Sequence, residues 1–369
     1  MGLRLPSDGL RGGAMLEPVH VLMQQAVTKN IFPGGVLLVS AAGRIRFHEA
    51  YGQANIYTGR KMSLNTVFDL ASLTKPLATT LAVMMLVAEK ELDLDQRLDT
   101  IIPAFQHTPK AEIRVRHLLD HTSGLPDYRP YYIALDHLPY PRRKEAFHEY
   151  LICEPLISGI GERTRYSDIG FMILEWVIEQ VSGSRLDKYI QKNIYGPLGI
   201  ESLFYIDLEQ PVPDNIYAVT EACPWRRTVL NGMVHDDNAY VMNGIAGHAG
   251  LFGTALAVHH LLTALLNAYN GIASPVFETS LIRLFLKRES GSERALGFDA
   301  PSPEHSSSGD LFDKSATVGH LGFTGTSFWM DLKHAIILIL LTNRVHPSRS
   351  NEQIRAFRPL LHNAVLSSL

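Results

Sequence analysis

The sequence predicts an α+β fold: one antiparallel sheet formed from both termini and flanked by helices, with a mainly helical inserted region. Two patterns point to it. Strand-forming runs gather near the two ends, at 36–48 and 317–342, each beside a stretch with helical apolar spacing. From 113 to about 285, helical patterns dominate and no strong strand appears. These limits place the sheet domain at 15–105 and 286–369 and the helical insert at 106–285.

Taken in order, residues 16–29 carry apolar positions at helical spacing. Pro33-Gly34-Gly35 opens the run Val36-Leu37-Leu38-Val39-Ser40, and Ala42-Gly43 turns the chain back into the alternating Arg44-Ile45-Arg46-Phe47-His48. The opening therefore reads as a helix and a hairpin. Residues 68–90 are a loop and an apolar helix, and 92–95 and 101–103 read as loop and short turns. Helices are expected at 115–121, 168–181, 184–195 and 254–268; Gly183 and Gly196 fall at C-terminal stops, with Pro197 reinforcing the second. Residues 127–147 hold Tyr128, Tyr131, Tyr132, Tyr140 and three prolines with little periodicity, and are expected to form a loop that walls a cleft. Strands return at 317–323, 327–331 and 335–342, and helical spacing at 351–366.

Composition narrows the function classes. With 369 residues, of which 19% are charged, the chain has room for a full buried core. A net charge of -3 supplies no basic field for nucleic acid or an anionic membrane. Cys153 and Cys223 are too few for a disulfide framework, lack metal-ligand spacing, and read as small buried residues. The apolar run at 335–341 is too short to span a bilayer, so no membrane span is expected. The first fourteen residues read as a loose tail, with Met15 as an alternative start; no basic region leads into an apolar stretch, which favours a cytoplasmic protein.

The chemistry centres on Phe68-Asp69-Leu70-Ala71-Ser72-Leu73-Thr74-Lys75-Pro76. Pro76 lacks a backbone N–H and suits a helix start, which places Ser72 at a helix N-terminus. Lys75 follows three residues on, so its amine lies on the same face and reaches the hydroxyl. The helix beyond bears no charge and should be buried. Lys75 is then partly desolvated, and its pKa is expected to fall, leaving a neutral amine to take the serine proton. Alone, a Ser-x-x-Lys pair is a common coincidence, readable as a cap and a first-turn residue.

Three other stretches have structural readings of their own. Arg165-Tyr166-Ser167-Asp168 precedes a helix, with Asp168 as its cap. Gly319-His320-Leu321-Gly322-Phe323-Thr324-Gly325-Thr326 joins a strand to closely spaced glycines, as a bulge or tight turn would, or as a backbone that an acyl substrate approaches. His117-Leu118-Leu119-Asp120-His121-Thr122-Ser123-Gly124-Leu125 is a short helix and turn.

Together and in this order, Ser72-Leu73-Thr74-Lys75, His121-Thr122-Ser123-Gly124-Leu125, Tyr166-Ser167-Asp168 and His320-Leu321-Gly322 resemble the serine beta-lactamase and penicillin-binding-protein superfamily. The nearest likeness is to its class C-like branch of esterases, D-Ala carboxypeptidases and cell-wall amidases. The resemblance implies a beta-lactamase/transpeptidase-like fold and a serine hydrolase working through an acyl-enzyme without a cofactor or metal. Ser72 would be the nucleophile, Lys75 its base or relay, Tyr166 the second member of the proton-transfer set, and the backbone N–H groups of Ser72 and Phe323 the oxyanion hole. Asp168, His320, Gly322 and His248 would contact substrate.

Two departures stand out. The lactamases usually carry asparagine where this chain has Asp168, and lysine where it has His320, so a fixed cation for a substrate carboxylate is missing. Both changes weaken the case for efficient beta-lactam hydrolysis. His235-Asp236-Asp237-Asn238, Gly244-Ile245-Ala246-Gly247-His248-Ala249-Gly250 and Asn343-Arg344-Val345-His346-Pro347 resemble cell-wall-recycling amidases; a metal held by His235, Asp236 and His248 would have no standard spacing. The implied substrate is a small molecule or a peptidoglycan fragment, with a muropeptide amide or peptide bond foremost. A short-chain carboxylesterase, a weak beta-lactamase and a penicillin-binding sensor without turnover are the alternatives.

Overall fold

The computed structural model describes residues 16–288 and 294–369, so the stretch read as a loose tail lies outside the described residues. Its main element is an eight-stranded antiparallel sheet in the order Arg60–Lys61, Arg44–Asn55, Gly34–Ala41, Ile336–Thr342, Ser327–Asp331, Thr317–Leu321, Phe298–Asp299, Arg294–Ala295. The two ends of the chain meet at its centre, where Gly35 lies opposite Thr342 and Ala41 opposite Ile336. The expected fold class is thus the observed one.

Both central strands are almost wholly apolar because both faces of the sheet are covered. Successive side chains point to opposite faces, so Leu37, Val39, Leu338 and Leu340 pack under the terminal helices Glu17–Thr28 and Ile354–Ser367. Val36, Leu38, Ile337 and Ile339 join the larger core on the other side, with Leu77, Leu81 and the helices Asp168–Ser182 and Ala255–Tyr269. The first hairpin turns at Ala42 and Gly43, both at positive φ (50° and 73°), as a two-residue turn matched to strand twist requires.

The helical segment from Ala71 to Ala88 is long and apolar enough to cross a membrane, yet 78% of it is buried inside the protein. It lacks a polar face because the core surrounds it.

The insert differs from the sequence reading in detail. Short strands do occur there: Leu203–Tyr205 and Leu251–Gly253 pair in one ribbon with Phe68–Asp69, and Ala222–Cys223 pairs with Thr228–Val229. Strands of two or three residues are too short to show alternation. The stretch at 127–147 is a loop at 127–131 and again at 136–139. Tyr132–Leu135 and Tyr140–Cys153 are helices, the second beginning just after Pro139. Its exposed, polar sequence has too weak an apolar stripe to announce a helix. Cys223 is buried as expected, whereas Cys153, the last residue of that helix, is exposed.

Candidate active site

Ser72 is reached along a fixed rail. Phe68–Asp69 pairs with Leu251–Gly253, and Leu70 N donates to Leu251 O at 2.9 Å. The buried Asp69 carboxylate then accepts from Ala71 N at 2.9 Å and from His235 N at 2.6 Å. Ala71 sits at φ 48°, a left-handed conformation rare for a residue with a side chain, held there by the first of these bonds. Ser72 follows in a 3-10 turn, Ala71–Leu73; a π turn, Lys75–Thr79, and the α-helix Thr80–Ala88 continue from it. Pro76 lies in the π turn, where the ladder is already irregular.

Lys75 is fully buried. Its Nζ donates to Ser72 Oγ at 3.1 Å, to Asp168 Oδ1 at 2.7 Å and to the carbonyl of His248 at 3.0 Å, so three acceptors match the three protons of an ammonium. Burial alone would lower its pKa. The Asp168 carboxylate, with Tyr166 adding to it, outweighs burial and raises the pKa above the ordinary lysine value. This corrects the expected fall. The sequence discloses the apolar surroundings but not a partner 93 residues away.

Asp168 was read as the cap of its helix, but Ser167 is the cap: its Oγ accepts from Gly170 N at 3.2 Å and donates to Pro126 O at 2.6 Å. Asp168 is the first helical residue and is free to turn toward Lys75. Tyr166, half-buried on the cleft, interacts through its hydroxyl with both Lys75 and Ser72; desolvation pushes its pKa up while Lys75 opposes. His121 fixes this segment. It is buried at φ 63°, its carbonyl accepts from Arg165 N at 2.8 Å, its Nδ1 accepts from Ser167 N at 3.0 Å, and its ring lies 4.8 Å from that of Tyr166. Burial, then Arg294, Lys75 and His320, hold His121 well below the ordinary histidine range, so the neutral ring keeps the lone pair this bond needs.

Opposite the serine, the turn after Thr317–Leu321 abuts Leu70. A Cβ on Gly322 would lie 2.6 Å from Leu70 O, which only glycine avoids. Thr324 Oγ1 donates to Asp69 O at 2.7 Å and Thr326 Oγ1 to Leu70 O at 3.0 Å, stitching this turn to the residues just before Ser72. Phe323 is half-exposed, lines the cleft, and its N–H donates to no group among the described residues. His320 is buried behind Tyr166, with ring centroids 6.0 Å apart, and its Nδ1 bonds Leu321 O at 2.9 Å. Burial, then Lys75 and Arg294, keep it neutral.

A cleft of about 430 Å³ opens over Ser72, Tyr166, Asp168 and Phe323. Its far wall consists of Asp127, Tyr128, His235, Asp236, Asp237 and Arg349, of which the sequence reading had flagged the segment from 127 as a cleft wall and the 235–237 stretch, but not Arg349. Arg349 bonds Glu221 at 2.6 Å and Asp237 at 3.3 Å, and Asp237 also pairs with the buried Arg226 at 2.6 Å. The imidazoles of His320 and His248, and Gly322, do not line this cleft. His248 is buried, with Nε2 2.9 Å from Asp236 Oδ1, and it touches the site through its carbonyl on Lys75. His235 pairs instead with Glu221, 3.2 Å away. Among the described residues no group of three His, Cys, Asp or Glu side chains is arranged to hold a metal ion.

Residues 20–361 match the family model described as beta-lactamase. The chain belongs to the beta-lactamase family. It is 34% identical over 363 residues to the N-acetylmuramyl-L-alanine amidase of Bacillus subtilis (strain 168), covering 90% of this chain and 81% of the relative. It is 29% identical over 351 residues, covering 87% of this chain and 81% of the relative, to a protein of Escherichia coli (strain K12) named provisionally as a D-alanyl-D-alanine carboxypeptidase. Its fold is similar to that of EstCE1, a hydrolase with promiscuous acyltransferase activity, at a TM-score of 0.73 and 21% identity, over 94% of this chain and 99% of the other. Members of the family are serine hydrolases, and this chain is a beta-lactamase-family hydrolase.

Proposed function

We propose that this hydrolase cleaves the amide between an N-acetylmuramyl group and L-alanine in cell-wall fragments, through an acyl-enzyme on Ser72. The observation that carries the mechanism is the contact of Ser72 Oγ with Lys75 Nζ at 3.1 Å on the cleft floor, with Tyr166 on both. Ser72 Oγ attacks the carbonyl as its proton enters the Lys75–Tyr166 set, in the fraction of enzyme whose Lys75 is a neutral amine. The tetrahedral oxyanion is held by the N–H groups of Ser72 and Phe323. The same set returns the proton to the leaving amine, and water then releases the muramyl acid and restores the serine.

The amidase relative and the charge of the cleft support this choice of substrate. A carboxypeptidase must accept a carboxylate beside its scissile bond. Here Asp127, Asp168, Asp236 and Asp237 line the cleft, Arg349 is already bound to Glu221 and Asp237, and His320 is neutral. That field opposes a carboxylate and tolerates an internal amide.

The test is steady-state hydrolysis by wild type and Ser72→Ala of a muramyl-L-alanyl peptide, p-nitrophenyl butyrate, nitrocefin and a D-alanyl-D-alanine peptide. Turnover of the muramyl peptide that vanishes in the variant is expected. Turnover of esters alone would make the protein an esterase, release of D-alanine a carboxypeptidase, and acylation by nitrocefin without turnover a penicillin-binding sensor.

A further inference from the structure

Behind the site runs a strap, Gly244-Ile245-Ala246-Gly247-His248-Ala249-Gly250, threaded between the π turn Lys75–Thr79 and the helix Asp168–Ser182. The strap supplies the third acceptor of the Lys75 ammonium, the His248 carbonyl, and lies against that helix so closely that a Cβ on Gly247 would fall 2.2 Å from Phe171 O. The Tyr205 hydroxyl donates to Ala246 O at 3.2 Å and His248 Nε2 lies 2.9 Å from Asp236 Oδ1, while Gly247 is fastened on either side. Gly247 O accepts from Thr79 Oγ1 at 2.6 Å, and Gly247 N donates to Glu175 Oε2 at 2.9 Å.

Glu175 is a carboxyl in an unusual place. It is buried midway along its helix, one turn from Glu179, with Lys144 the nearby cation. Burial, then Glu179, push its pKa up to about 7, against Lys144, Gly247 N–H and His248. A carboxyl this deep is costly unless it performs a task. Nothing in the acyl-enzyme mechanism uses it.

We infer that Glu175 is a positioning residue for Lys75, acting through Gly247 to hold the His248 carbonyl where it fixes the direction of the Lys75 amine. Glu175 touches neither the serine nor the cleft. It sets the orientation of the strap, the strap sets one of three bonds to Nζ, and the remaining two then aim the amine at Ser72 and Asp168. The task needs an acceptor and not a charge, because a neutral carboxyl also keeps a carbonyl lone pair for Gly247 N–H. Glutamine should therefore replace glutamate here, and leucine should not.

This inference rests on the acyl-enzyme reading, so its test separates the two. The rate of Ser72 labelling by a fluorophosphonate probe reads nucleophile activation, while KM and kcat for p-nitrophenyl butyrate separate binding from chemistry. Glu175→Leu is expected to slow labelling and kcat ten- to a hundredfold with KM changed less than twofold, and Glu175→Gln to stay within threefold of wild type. Thr79→Val, isosteric and lacking the hydroxyl that bonds Gly247 O and meets the Tyr205 hydroxyl, should lose three- to tenfold and supplies the comparison if the leucine variant does not fold. Wild-type labelling with a folded leucine or valine variant equally fast, or a glutamine variant as slow as the leucine one, would overturn the inference alone. No labelling of the wild type would overturn the acyl-enzyme reading and this inference with it.

Discussion

Two ion-pair systems face each other across the cleft. On the floor, Lys75 and Asp168 pair at 2.7 Å with side chains 0% and 18% exposed; on the rim, Arg349 is 40% exposed where it bridges Glu221 and Asp237. Each ties together segments far apart in the chain. The difference lies in which partner meets water, which screens charge severalfold better than a protein interior does: the floor seals its cation, whereas the rim leaves its cation hydrated and buries Glu221 and Asp237, 4% and 5% exposed. On the floor the pair decides which protons are present: Lys75 stays an ammonium against its burial and donates to the serine that must lose a proton. On the rim the same chemistry holds shape. Against its own burial, Glu221 is held down to about 2 by His235 and Arg349, so it remains a carboxylate across the working range and titrates nowhere near it.

The comparison breaks most visibly at Lys75. Lys75→Met keeps the length and apolar stem but removes the amine, and acylation of Ser72 should fall about a thousandfold, within the span known for general acid–base groups. Burst kinetics with an activated ester measure it. A loss below tenfold would move the base role to Tyr166.

Asp168→Asn sharpens the same side. With the carboxylate gone, burial governs Lys75 and its pKa falls. The limb of the pH profile that tracks a neutral Lys75 should therefore shift at least one unit toward acid, read as kcat/KM from pH 5 to 10; an unmoved limb would mean that Asp168 does not set the lysine. Stability carries a matching sign. A folded pKa raised above the unfolded one contributes stability fully present below about 10.5 and lost as pH rises through the folded value. The asparagine variant forfeits that contribution, so the gap between wild-type and variant melting temperatures should be wide at pH 7 and narrow as alkaline conditions remove it from both.

How far this was legible in the sequence follows the range of the interactions. Ser72, Lys75 and the apolar helix are neighbours in the chain, so a three-residue spacing, Pro76 and an uncharged run suffice to bring them together, although the 3-10 and π turns they adopt are not announced. The central strands declare themselves because burial on both faces leaves runs such as Ile337-Leu338-Ile339-Leu340-Leu341. The state of Lys75 does not, since it is fixed by Asp168 from another helix, and Asp168 itself looked like a cap because Ser167 beside it has the same capping chemistry. His248 carries a similar lesson. Its side chain drew attention, but its carbonyl is what reaches Lys75, and a backbone atom leaves no signature in residue type. Arg349 and Glu221 are 128 residues apart, and no local pattern joins them.

The rim should respond least. In Arg349→Met neither carboxylate is orphaned, because Glu221 keeps His235 at 3.2 Å and Asp237 keeps Arg226 at 2.6 Å. The guanidinium is partly hydrated but the carboxylates it bonds are buried, so the expected loss of stability is about 1–2 kcal/mol. The kcat value should hold, and KM should change two- to fivefold as the far wall relaxes. A double-mutant cycle with Glu221→Gln, scored by denaturant melts and by acylation rate, measures both. Coupling near 1 kcal/mol in stability and none in acylation would keep the two ion-pair systems distinct. If acylation collapsed in Arg349→Met as it does in Lys75→Met, the rim would belong to the proton chemistry after all, and exposure to water would not be what separates the two walls.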